Sequence, residues 1–172
     1  MIPPLPAISN HLEAHARFRP DAEALYDVDN DRRFTWAELL DLTRRWAARL
    51  VQLGVQRGDK VALLAHNRGE SFAVLYACAQ VGATFFPMNW RLASAERQWQ
   101  LDHAQPRVCI TGPSFHGDLG PDAIALEVDP TEDPLIGSGA SLDDPWMLLY
   151  TSGTSGRPKG ALITHRQVPD DN

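Results

Sequence analysis

Lys60-Val61-Ala62-Leu63-Leu64-Ala65 is a short run with almost no polar side chain, and Thr84-Phe85-Phe86-Pro87-Met88 and Arg107-Val108-Cys109-Ile110-Thr111 repeat the pattern downstream. Strands this apolar are buried on both faces, as in a parallel sheet. Between the first two runs, Glu70 to Val81 is apolar nearly all round, which predicts a buried helix, and Gly82 stops it. Asn67 reads as that helix's cap, with Glu70 in the third position after it. Ser94 to His103 reads as a second helix, capped by Ser94. Strands alternating with helices pair in parallel through right-handed crossovers. The fold class is therefore α/β, a βαβαβ sheet with flanking helices.

Upstream, Ser9 to Phe18 reads as a short helix closed by Pro20, and Ala24 to Val28 with Arg32 to Phe34 as a hairpin across Asp29-Asn30-Asp31. Thr35-Trp36-Ala37-Glu38 is a capping box that starts a long amphipathic helix. On it, Trp36, Leu39, Leu40, Ala47, Leu50 and Val51 share the apolar face, and Asp41 and Arg45 have ion-pair spacing. Gly54 supplies a left-handed end. His11 and His15 stand one helical turn apart, but no third metal ligand is near and Glu13 is misplaced for a zinc-protease pattern.

Downstream, residues 112–145 are rich in Gly, Pro, Ser and Asp, with only Ile124 to Val128 resembling a strand. They read as a surface connection crossing to a second sheet. That sheet would hold the apolar runs Met147 to Tyr150 and Ala161 to Ile163, which flank Thr151-Ser152-Gly153-Thr154-Ser155-Gly156-Arg157-Pro158-Lys159-Gly160. This loop carries four hydroxyls, three glycines and a lysine. Glycine permits positive φ, so many backbone N–H groups can face one anion; hydroxyls add donors and Lys159 adds charge. The ligand it suits is a polyphosphate. The lysine context excludes a Walker A loop, since proline precedes Lys159 and glycine follows it. No Gly-x-Gly-x-x-Gly follows an early strand, which excludes a Rossmann fingerprint. A flexible Ser/Gly turn is the bland alternative, and Arg-Pro-Lys-Gly is not linker composition.

Tyr150 to Gly160, continued by Ala161-Leu162-Ile163-Thr164-His165, resembles the phosphate-binding signature of the AMP-forming adenylating superfamily, with Ser155 where threonine is more usual. The resemblance extends from about Leu12 to about Gln167. Pro87-Met88-Asn89-Trp90-Arg91-Leu92 resembles the Pro-Leu-Asn-x-Arg-Leu stretch of acyl- and aryl-CoA ligases, whereas peptide-synthetase adenylation domains usually carry Asp-Pro-x-Tyr-Pro there. Taken alone, Trp90 reads as a packing residue and Arg91 as a solvated one.

The resemblance implies an acid–CoA ligase that joins a carboxylic acid to the α-phosphate of ATP, releases pyrophosphate, then passes the acyl group to coenzyme A, with Mg²⁺ assisting. By motif, Thr151, Ser152, Gly153, Thr154, Ser155, Gly156 and Lys159 would grip the β- and γ-phosphates, with Lys159 the catalytic charge. Pro158 would fix the loop's exit, Arg157 would face solvent, and His165 and Arg166, opening the next helix, are weaker candidates. No metal-ligating side chains are assigned. The superfamily's later signatures, a Tyr-Gly-x-Thr-Glu stretch, a ribose-binding aspartate, a hinge and a mobile lysine, have no counterpart here. Together with Val168-Pro169, where the superfamily continues a helix, this predicts a truncated N-terminal portion, inactive alone and self-associating through an exposed sheet edge. Its parts would be residues 1–111, a connection 112–145, and a strand–loop–strand unit 146–168. A stand-alone nucleotide- or phosphate-binding regulatory module is the alternative, as is a peptide-synthetase adenylation domain. The acid is left open among fatty, aromatic, short-chain and other classes.

Composition fits this picture. The chain has 172 residues, 44% hydrophobic and 22% charged, with a formal charge of −6. The acidic balance argues against broad nucleic-acid or anionic-membrane binding. No apolar run is long enough to span a bilayer, and the first residues lack the pattern of a secretory signal. Cys78 and Cys109 lie in apolar runs and read as free buried thiols, so the expected location is the cytoplasm.

Overall fold

A computed structural model describes residues 8–127, 140–151 and 158–167. The chain opens with α1 (Ile8–Phe18), a two-stranded antiparallel hairpin of β1 (Glu23–Asp27) and β2 (Arg32–Thr35), and α2 (Trp36–Gln52). There follow β3 (Lys60–Leu64), α3 (Gly69–Val81), β4 (Thr84–Pro87), α4 (Ser94–Ala104), β5 (Val108–Thr111) and the short β6 (Ile124–Ala125). Last come β7 (Pro145–Thr151) and β8 (Lys159–Thr164), then a 3₁₀ turn over His165–Gln167. Six strands form one sheet in the order β6-β5-β3-β4-β7-β8. All neighbours in it are parallel except β7 and β8.

The single sheet corrects one expectation. The strands flanking the hydroxyl-rich loop do not start a second sheet; β7 adds in parallel to β4, with Phe85 opposite Met147. The Thr84 hydroxyl donates to the Pro145 carbonyl at 3.2 Å and fixes the junction. Composition of the connecting segment carries no information about which edge it returns to.

Alternation along the central strands divides the core. Val61 and Leu63 face one layer with Phe85 and Ile110, covered by α2 and α3 through Trp46, Leu50, Val74 and Ala77. Ala62 and Leu64 face the other with Phe86, Met88 and Leu148, covered by Ala104 of α4. The helices after β3 and β4 therefore lie on opposite faces of the sheet.

The capping box is formed: the Thr35 hydroxyl accepts from the Glu38 N–H and the Glu38 carboxylate accepts from the Thr35 N–H at 2.8 Å. Along α2 the buried residues are Leu39, Thr43, Trp46, Ala47 and Leu50, while Val51 is 49% exposed. Leu39, Thr43, Trp46, Ala47 and Leu50 follow steps of three and four; Val51 also lies one such step beyond Ala47, so spacing alone does not set it apart. Asp41 and Arg45 pair at 2.7 Å, and Gly54 has φ of 77°.

Two helix starts differ from expectation. Arg68, not Asn67, holds the cap position of α3 and makes no side-chain cap bond. The donor at the helix start is satisfied by Asp27, whose carboxylate accepts from the Gly69 N–H at 3.0 Å. At α4 the cap is Ala93, whose N–H donates to the Glu96 carboxylate at 2.9 Å; Ser94 is the first helical residue. His15 is used in packing, its ring 4.4 Å from Trp36 and its Nδ1 3.0 Å from an Arg19 nitrogen. Both cysteines are free; Cys78 is buried, Cys109 half-buried, and burial raises both thiol pKa values. Among the described residues, no helix is long and apolar enough to cross a membrane.

Candidate functional site: a crevice at the carboxyl ends of β3, β4 and β7

In an open α/β sheet, adjacent strands whose outgoing helices go to opposite faces leave a crevice at their carboxyl ends. β3 and β4 are such a pair, and a cavity of about 1050 Å³ opens there. Leu63, Phe85, Pro87, Met147 and Leu149 line its sheet side. Residues just after the strands line the rest: His66, Asn67 and Arg68 after β3, and Asn89, Trp90 and Arg91 after β4. Phe72 of α3, 44% exposed, also faces it.

Local contacts give this rim its shape. The Arg91 guanidinium lies 4.1 Å from the Trp90 ring centroid, and Trp90 meets His66 edge-on at 4.7 Å. His66 also meets Phe115 edge-on at 4.9 Å. The Asn89 side-chain oxygen accepts from the Arg91 N–H at 3.0 Å, closing an Asx turn. Arg97 is buried and holds the far end of this segment, donating to the Leu92 carbonyl at 2.7 Å while pairing with Asp118 at 2.9 Å. Trp90 and Arg91 thus form one stacked unit, beyond the separate packing and solvated roles that sequence suggests.

The loop enters at the same edge because β7 runs parallel to β4. Thr151 and Pro158 both line the crevice. Thr151 lies opposite Lys159 in the β7–β8 pair, its hydroxyl donating to the Lys159 carbonyl at 3.4 Å. Lys159 is exposed. Ser152, Gly153, Thr154, Ser155, Gly156 and Arg157 lie outside the described residues.

His165 and Arg166 stand away from the crevice-lining residues and brace the end of β8. The His165 N–H donates to the Asp144 carbonyl at 3.2 Å, and that of Arg166 to the Leu142 carbonyl at 2.9 Å. The Arg166 guanidinium pairs with Asp143 at 2.9 Å. His165 is 3% exposed, and burial lowers its pKa against the opposing pull of Asp144. Asp144 itself is held below the usual aspartate range: burial would raise it, but Arg57 at 2.8 Å and the Ser141 N–H outweigh that.

Sequence reasoning missed His66, Arg68, Phe72 and Tyr150 as crevice residues. The available signal was position, since residues directly after parallel strands collect at the binding edge of such folds.

The sheet is doubly wound, with a ligand-sized crevice at its switch point and Thr151 and Pro158, the residues flanking the hydroxyl–glycine loop, at its rim. The sequence profile of AMP-binding enzymes matches residues 12–169, and the chain belongs to that family. It is 37% identical over 161 residues to 2-succinylbenzoate--CoA ligase of Geobacillus kaustophilus, covering 91% of this chain and 32% of that protein. It is 32% identical over 182 residues to indoleacetate--CoA ligase of Aromatoleum aromaticum, covering 91% of this chain and 34% of the relative. The chain therefore spans about a third of the length of the curated relatives it matches. Among solved structures, the inhibitor-bound N-terminal domain of FACL13 from Mycobacterium tuberculosis superposes with a TM-score of 0.81 at 30% identity, over 92% of this chain and 44% of that one. The o-succinylbenzoate CoA synthetase of Bacillus subtilis, in complex with its acyl-adenylate intermediate, gives 0.77 at 32% identity, over 90% and 42%.

Proposed function

We propose that this chain is the phosphate-gripping portion of an ATP-dependent acid–CoA ligase. The observation that carries the reading is the position of Thr151 and Pro158: both ends of the loop sit at the rim of the switch-point crevice. The two named relatives are CoA ligases, one for 2-succinylbenzoate and one for indoleacetate. These relatives support a carboxylic acid, with ATP and CoA, as the substrates.

In the first half-reaction an acid carboxylate, already ionised at neutral pH, attacks the α-phosphorus of ATP. The bond to the β-phosphate oxygen breaks and pyrophosphate leaves. In the second half-reaction the CoA sulfur displaces AMP and the thioester forms. Catalysis of the first step is positioning and charge stabilisation, so no general base is required. Thr151, Ser152, Gly153, Thr154, Ser155 and Gly156 supply donors to the β- and γ-phosphates, and Lys159 compensates the charge growing on the leaving group. Mg²⁺ would enter with ATP and neutralise phosphate charge beside Lys159; among the described residues no group of three His, Cys, Asp or Glu side chains could hold it. The two thirds of such an enzyme beyond the matched length supply the adenine, ribose, acyl and CoA contacts.

Lys159→Ala in the complete enzyme is expected to slow ATP–pyrophosphate exchange about tenfold or more, a loss of ~1.4 kcal/mol in transition-state binding. An unchanged exchange rate removes the assigned role. The chain by itself is expected to self-associate. β8 is one of the two edge strands among the described residues, and its Leu162 is 53% exposed. Sedimentation velocity should show oligomers that Leu162→Lys reduces; a monodisperse wild-type monomer contradicts this.

A further inference from the structure

The residue before the loop is held by a helix far from it in sequence. Tyr150 lies directly ahead of Thr151 in β7, and its hydroxyl is 2.6 Å from Nδ1 of His103, in the last turn of α4. Either imidazole tautomer sustains one hydrogen bond there, since the phenol can donate or accept. Trp99, one turn earlier on α4, stacks on His103 at 5.3 Å with planes 12° apart, and meets the Tyr150 ring edge-on at 5.9 Å. Phe86 closes the other side of the phenol at 5.3 Å.

The second stem of the loop is locked to the same ring. Gly160 pairs with Tyr150 across the ladder. A Cβ on Gly160 would stand 3.0 Å from Leu148 Cδ1 and 3.5 Å from Tyr150 Cε1, so the absent side chain makes room for these neighbours. The opposite end of α4 holds the crevice wall through Arg97 and the Leu92 carbonyl. One helix thus fixes both the crevice segment and the base of the loop.

We propose that His103, acting through the Tyr150 hydroxyl, is a positioning residue that sets where the phosphate loop stands relative to the crevice. This rests on the phosphate-loop reading above. His103 touches no reacting atom; its effect is on the registration of donors with the β- and γ-phosphates. A cradle displaced by a fraction of an ångström still binds the acid but holds the nucleotide less well.

The test uses the complete enzyme carrying this chain, assayed by ATP–pyrophosphate exchange with thermal melting recorded alongside. Tyr150→Phe and His103→Ala should each raise KM for ATP and for pyrophosphate about fivefold, the worth of one hydrogen bond. KM for the carboxylic acid should stay within about twofold, most cleanly for His103→Ala, because His103 does not line the crevice and Tyr150→Phe removes only the hydroxyl. The double variant should be no worse than either single, since both remove the same bond. His103→Asn, whose amide can meet the phenol, should recover most of the nucleotide KM. His103 is exposed, so its variants remain informative even if Tyr150→Phe folds poorly. The proposal is overturned by unchanged nucleotide KM values, by equal rises for acid and nucleotide, or by multiplicative effects in the double variant. Lys159→Ala is run in parallel. If it lowers exchange while the His103 and Tyr150 variants behave as wild type, the clasp alone fails. If it too is silent, the phosphate-loop reading fails and the clasp falls with it.

Discussion

Gly69→Ala is expected to destabilise the protein by about 3 kcal/mol, which at this size lowers the melting temperature by roughly 6–12 °C. A glycine-to-alanine change in a helix ordinarily stabilises by up to ~1 kcal/mol. Here the sign reverses for a steric reason. An alanine Cβ would lie 2.2 Å from Phe34 Cε2, 2.7 Å from Cζ and 2.9 Å from Cδ2. Phe34 is 1% exposed, with the Arg32 guanidinium 4.2 Å from its ring centroid, so the ring cannot swing aside without unpacking the hairpin. Gly69 is thus required for its size, at the point where the β1–β2 hairpin rests on the start of α3. Phe34→Leu should recover part of the loss when combined with Gly69→Ala, because a smaller side chain admits the methyl. Urea unfolding of the two singles and the double gives the coupling. Unchanged or raised stability of Gly69→Ala would show that the contact is not rigid.

Much of this architecture is legible in the sequence because its elements are defined by local patterns. The central strands are short apolar runs, and α3 ends at Gly82 with φ of 73° because only glycine enters that conformation without cost. The start of α3 is not legible in the same way. Asn67 and Glu70 form a plausible local cap, yet the bond is made by Asp27, 42 residues upstream. A cap supplied by tertiary contact leaves no mark on neighbouring residues. The buried face of α2 shows the limit of periodicity, since Val51 and Leu50 are adjacent in sequence and only packing decides which is covered. The hydroxyl, glycine and lysine content of the loop is readable from residue types, and so is its resemblance to a phosphate-binding signature. The crevice is not. His66, Phe72, Trp90 and Tyr150 come from four separate segments, and only the strand order β3-β4-β7 gathers them. The same order explains why the hairpin bearing the loop joins the first sheet.

Asp27→Ala is expected to cost about 3 kcal/mol at neutral pH, with a pH dependence that identifies the cause. Asp27 is 7% exposed. One carboxylate oxygen accepts from the Gly69 N–H at 3.0 Å, the other from the Asn30 backbone N–H at 3.2 Å, and the Asn30 side-chain amide bridges both at 3.0 Å. Removal leaves the first donor of α3 without its acceptor and takes a negative charge from a helix N-terminus, where it is favoured. Burial pushes the Asp27 carboxyl upward; the Gly69 N–H, the Asn30 amides and Arg68 outweigh it and hold the group below the ordinary 3.8. The folded protein therefore binds this proton less tightly than the unfolded chain does. The stabilisation is complete above the unfolded value and is lost as pH falls through the lower folded one. Asp27→Asn keeps the shape but has no proton to gain. The stability gap between wild type and Asp27→Asn should be widest near neutrality and shrink below about pH 4, the unfolded aspartate range. The comparison isolates Asp27 from Glu38 and Asp144, which are also held low and titrate equally in both proteins. A gap that stays constant from pH 6 to pH 3 would mean that the charge contributes nothing and that the bonds to Gly69 and Asn30 act as neutral ones. If the gap closes as expected, acid should also loosen the start of α3. Ser71 and Phe72 there line the crevice, so the hairpin's buried carboxylate would hold one wall of the site.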